Sequence, residues 1–170
     1  MYRMVLKHDV GSPAPDFTLR DAEGREFSAG GFRGRGSLVL IFFLGGFDRD
    51  AVRSLRSLAE GYGRIKDAGA EVLAITPELP GKVKTLVEGL QPPFPVLGDP
   101  ELAAVRAYDV YDPVANWTWP AAFIIDRDGV IQYAFRGVSA PNTPPTEYLL
   151  LKLTAMKEGK AVGAPGQART

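Results

Sequence analysis

The segment Ser37-Leu-Val-Leu-Ile-Phe-Phe-Leu44 constrains the fold more than any other part of the chain. A continuous apolar run rich in branched and aromatic side chains reads as a strand covered on both faces. Its seven apolar residues, 38–44, fall far short of the roughly 20 that a membrane-spanning helix needs. A strand covered on both faces needs helices above and below its sheet, and the sequence supplies one at once. After Gly45-Gly46, the apolar residues Val52, Leu55, Leu58, Ala59, Tyr62 and Ile65 recur at spacings of three and four, predicting a helix that ends near Gly69.

The remaining segments extend this pattern. Residues 16–20 and 26–27, joined through the turn Asp21-Ala-Glu-Gly24, read as a short hairpin. A glycine-rich, basic connector follows at 28–36. Residues 71–76 form the next strand, and 80–90 a helix with Val83, Leu86, Val87 and Leu90 on one side. In the extended piece 92–97, Pro95 argues against a central ladder position. A short helix at 101–108 leads into a loop, 109–119, that carries both tryptophans. Strands at 121–126 and 130–135 flank the turn Arg127-Asp128-Gly129, and a last helix spans 146–157. The expected architecture is one α/β domain over 1–158, with a central mixed sheet, helices on both faces and an N-terminal β-hairpin. Residues 159–170 read as a flexible C-terminal tail.

Composition removes most catalytic chemistry. The 170-residue chain has no cysteine, which excludes disulfides, thiol catalysis, cysteine-ligated zinc and iron–sulfur clusters. Its one histidine, His8, sits in the polar segment Lys7-His8-Asp9 and reads as exposed and idle. The 20 basic and 20 acidic side chains balance, giving no pull toward nucleic acid or an anionic membrane. Residues 1–10 carry Arg3, Lys7 and Asp9 and no apolar block of the kind a signal peptide needs, so the expected compartment is the cytoplasm.

Five blocks in register carry a family resemblance. They are Gly11-Ser-Pro-Ala-Pro-Asp-Phe-Thr-Leu19 with Asp21-Ala-Glu-Gly24, the segment from Leu38 through Gly46 to Leu55, Glu71-Val-Leu-Ala-Ile-Thr-Pro77, Phe94-Pro-Val-Leu-Gly-Asp-Pro100, and Pro120-Ala-Ala-Phe-Ile-Ile-Asp-Arg-Asp-Gly-Val130. Together they resemble the peroxiredoxin-like alkyl hydroperoxide reductase/thiol-specific antioxidant (AhpC/TSA) family over residues 9–155. The resemblance implies a thioredoxin-like fold of peroxiredoxin type.

Family members reduce peroxides with a thiolate that passes through sulfenic acid, at a strand–turn–helix. Against members with a Cys-x-x-Cys pair, the matching positions here are Asp48 and Ala51. Members with a single peroxidatic cysteine place it where Ala51 stands, after a threonine where Asp48 stands. The proline of the family signature is also missing, with Leu44 near its place. The resemblance therefore implies a degenerate reactive site and no thiol peroxidase activity.

Two features of that site remain open in the sequence. Asp48 and Asp50 read either as helix caps or, for Asp48, as an anion presented where a cysteine once stood. No third ligand accompanies them, so neither metal nor cofactor is expected. The resemblance also implies that Pro120 is a cis-proline facing the turn, with Trp119 replacing an arginine. Phe43, Phe47, Trp117 and Trp119 would then surround the old site, either plugging it or offering a surface to a small apolar ligand or protein partner. A homodimer is expected by analogy, with contacts around Phe47 and the tryptophan loop. The expected role is binding or regulation by an inactive family member. The competing reading is a non-thiol enzyme with Asp48 or Asp50 as acid or base. An apolar pocket would favour the first and a polar one the second.

Overall fold

A computed structural model describes residues 9–138 and 143–159. His8 and the tail beyond Gly159 lie outside the described residues. Strand β3 (Ser37–Phe42) is the buried strand that the apolar run predicts, and it lies inside a seven-stranded mixed sheet. On one side it pairs in parallel with β4 (Ala70–Thr76), and on the other antiparallel with β8 (Ala121–Ile125). Outward from β4 come β5 (Val96–Gly98), β1 (Thr18–Asp21) and β2 (Glu26–Ser28); outward from β8 comes β9 (Ile131–Arg136). The helices are α1 (Arg49–Glu60), α2 (Tyr62–Asp67), α3 (Pro80–Leu90), α4 (Ala103–Ala107) and α5 (Thr146–Lys157). No helix among the described residues is long and apolar enough to cross a membrane.

The two-residue period of β3 builds two cores. Val39, Ile41 and Phe43 face one cluster, with Leu55 and Leu58 of α1, Ile65 of α2, Leu86 of α3 and Leu149 of α5. Leu38, Leu40 and Phe42 face the other, with Phe17, Val105, Tyr108 and Phe123. There the rings of Phe42, Tyr108 and Phe123 meet with centroids 5.1–5.9 Å apart. The Tyr108 hydroxyl donates to the Pro15 carbonyl at 2.6 Å, tying the chain's approach to β1 onto this core. Burial pushes that phenol well above its usual range.

Four details differ from the sequence-based expectation. The long first helix is broken into α1 and α2 at Gly61, which caps α1. A Cβ at Gly61 would meet Thr146 Cγ2 at 2.6 Å, so the break also lets α5 approach closely. The piece after Pro95 is a central strand after all, with β5 lying between β1 and β4. Pro95 stands just outside it and contributes only its carbonyl, which accepts the Ala74 N–H at 3.1 Å, so no missing donor is felt. The tryptophan loop contains a two-stranded ribbon, β6 (Tyr111–Asp112) and β7 (Trp117–Thr118). Finally, the helix expected from residue 101 starts later, at Ala103. The Asp99 carboxylate accepts the N–H groups of Ala103 and Val105 at 2.9 and 3.0 Å, which fixes that start. Burial raises the pKa of this carboxyl against those hydrogen bonds.

Candidate functional site

The turn from β3 into α1 is where the resemblance places the reactive site. The β3 ladder continues one residue further, with Phe43 N–H donating to the Ile75 carbonyl at 2.9 Å. The chain then turns at Leu44-Gly45-Gly46 and is held from two sides. The Leu44 carbonyl accepts both the Trp117 indole N–H at 2.8 Å and the Thr76 hydroxyl at 3.2 Å. The Gly46 N–H donates to Glu78 Oε1 at 2.8 Å, and Glu78 is 8% exposed. Gly45 has a φ of +148°, and a Cβ there would meet Glu78 Cδ and Oε1 at 2.6 Å. Glycine is required at that position by both backbone and space.

Asp48 is the N-cap of α1. Its backbone is extended, its carbonyl accepts Val52 N–H, and its side chain accepts Asp50 N–H at 3.3 Å. Asp50 lies in the first turn, where a negative charge suits the free N–H groups. Replacing Asp48 with alanine is expected to cost about 0.5–2 kcal/mol in denaturant unfolding, the ordinary value of a lost cap.

Ala51 is buried in the core with Phe43 and Leu55. Between Ala51 and Pro120 the structure leaves a slot of only ≈ 10 Å³, lined by Phe43, Leu44, Asp48, Ser54 and neighbouring residues. That volume is about one water molecule. The Trp119–Pro120 bond is trans, which corrects the expectation of a cis-proline. On either side of it, Trp119 N–H donates to Val110 O at 2.8 Å and Pro120 O accepts Gly137 N–H at 2.7 Å, and trans is the form an X–Pro bond prefers intrinsically by about 0.5–1 kcal/mol.

The four aromatics separate into different environments. Phe47 and Trp117 face each other with ring centroids 6.4 Å apart, Phe47 being 68% exposed. Phe43 belongs to the core and lines the slot. Trp119 is half-buried and enters no ring pair among the described residues, so of the four aromatics Phe47 and Trp117 alone pair with each other. Phe47 has company of another kind: Leu79, Val114 and Val138, three more of the exposed large apolar residues, also lie on loops near this end of the sheet. Thr76 and Glu78 hold the turn but were not singled out by the sequence. Their position at the carboxyl end of a parallel strand, where sites collect, was the available signal.

Residues 10–134 match the AhpC/TSA family, and the chain belongs to it. It is 31% identical over 130 residues to alkyl hydroperoxide reductase E of Mycobacterium tuberculosis, covering 74% of this chain and 84% of that protein. It is 29% identical over 136 residues to peroxiredoxin Q, chloroplastic, of Oryza sativa, where the match spans 79% of this chain but only 62% of the rice protein. Its fold superposes on AhpC of Enterococcus faecalis with a TM-score of 0.79, 20% identity and coverage of 89% and 93% of the two chains.

Proposed function

We propose that this AhpC/TSA protein acts without thiol peroxidase chemistry, as a binding or regulatory protein that presents the end of its sheet around Phe47 and Trp117. The observation that carries the reading is the ≈ 10 Å³ slot beside Ala51. A reacting site needs a nucleophile and space for a substrate, and this position has an alanine and room for about one water. The Asp48 carboxylate is engaged in capping α1, which weighs against the competing reading of Asp48 as acid or base. The exposed Phe47 ring, set against Trp117, supports contact with another molecule at this end of the sheet.

The test is peroxide consumption with excess dithiol, comparing the unaltered chain with Ala51→Cys and with the Asp48→Cys/Ala51→Cys double variant. The unaltered chain is expected to stay at the metal-free background. The cysteine variants place a thiol at a helix N-terminus, where its pKa falls, and separate the two causes: turnover by them assigns the loss to the missing sulfur, and background rates assign it to the closed slot as well. Consumption by the unaltered chain above background overturns the proposal.

A further inference from the structure

We infer that the outer face of α1, together with Phe47, docks an acidic polypeptide segment that carries an apolar side chain. Arg49, Arg53 and Arg56 are exposed and fall at i, i+4 and i+7, opposite the buried Ala51, Leu55 and Leu58. They form one stripe, with about 6 Å between the first two and about 10 Å end to end along the axis. None of the three makes an ion pair with a described residue, whereas Arg20, Arg25 and Arg64 each pair with a carboxylate. Helix physics disfavours the arrangement twice. Like charges three and four residues apart repel, and Arg49 opens the helix at its positive end. Asp48 and Asp50 offset some of this charge at the first turn, and Glu60 stands at the far end of the stripe. A stripe that local rules disfavour, with no ion-pair partner among the described residues, is where a function is expected.

Phe47 defines the other half of the site. It precedes Arg49 by two residues, is largely exposed and stands against Trp117. In an extended peptide, alternate side chains recur about every 6.6 Å on one face, close to the Arg49–Arg53 spacing. An apolar side chain on Phe47 and Trp117, followed by alternate carboxylates, therefore meets Arg49 and Arg53 in register and leaves Arg56 within reach of the third carboxylate through its long side chain. Guanidinium groups take carboxylates in charge-assisted, forked hydrogen bonds. A second copy of this chain fits worse, because a two-fold contact centred on the stripe sets arginines of both copies against each other.

The inference rests on the binding role proposed above, and its test separates the two. The probe is a fluorescein-labelled decapeptide, Gly-Trp-Leu-Glu-Thr-Glu-Thr-Glu-Thr-Gly, read by fluorescence anisotropy with the full chain. It is expected to bind at least tenfold more tightly than the same peptide with lysine for glutamate, and more weakly as salt rises. The Arg49→Gln/Arg53→Gln/Arg56→Gln variant is expected to lose at least tenfold and Phe47→Ser several-fold, with unchanged circular dichroism. Any of four results overturns the inference. These are equal binding of the two peptides, binding indifferent to the arginine substitutions, competition by inorganic polyphosphate as strong as by unlabelled peptide, or a dimer in sedimentation that Phe47→Ser dissolves. Peroxide turnover by the unaltered chain defeats the functional proposal alone and leaves the anisotropy result standing.

Discussion

Truncating Phe123 to alanine is expected to remove about 3–5 kcal/mol of stability, a large share of the roughly 5–15 kcal/mol that holds a domain folded. Phe123 is fully buried on β8, and its ring meets those of Tyr108 and Phe42 at 5.1 and 5.9 Å. The Arg136 guanidinium lies over the same ring at 5.0 Å. Alanine leaves a void bounded by a sheet on one side and an anchored tyrosine on the other, neither of which can readily collapse into it. Denaturant unfolding followed by circular dichroism measures the loss. Leu151→Ala is the control: 65% exposed on α5, it is expected to change stability by no more than about 0.5 kcal/mol. Equal effects at the two positions would contradict the core described above.

The second large effect is expected at Gly45. Gly45→Ala forces a side chain into a backbone region that costs about 1–3 kcal/mol for any residue but glycine. Its Cβ also displaces Glu78, and the Gly46 N–H then loses its acceptor at a further cost of about 1–3 kcal/mol. Gly46→Ala is the informative neighbour. A Cβ there meets Leu86 at an ordinary 3.5 Å and requires no positive φ, so the substitution is expected to be tolerated. Unfolding free energies of the two variants, with hydrogen exchange at the residue 46 amide, give the comparison. A Gly45→Ala protein as stable as the parent would remove Glu78 from the account of the turn.

Much of the architecture is legible in the chain because periodicity and burial agree. The run 38–44 becomes β3 with its two faces in two cores, and the boundaries of α3 and α5 fall where the pattern places them. What escapes is set by contacts distant in sequence. Nothing local in residues 62–65 reveals that α5 will press against Gly61 through Thr146. Pro95 reads as a breaker until the partner strand shows that only its carbonyl is used. The candidate site divides the same way. Asp48 as a cap follows from its residue type and place. Glu78 reaches the turn from 32 residues away and is visible only once β3 and β4 are paired. The hydrogen bonds that flank Pro120, to Val110 and from Gly137, likewise join residues that no local rule pairs.

The indole bond that pins the turn has an optical consequence. The chain has two tryptophans, one in β7 of the ribbon and the other on the short stretch that leads from it into β8. Indole emission shifts with polarity and hydrogen bonding of the ring, and Trp117 donates its N–H directly to Leu44. The intrinsic fluorescence of this protein is therefore a built-in, label-free gauge of the neighbourhood of the sulfur-free turn. A blue or red shift reports a ligand arriving, or the turn releasing its indole clasp, while the far edges of the sheet stay dark.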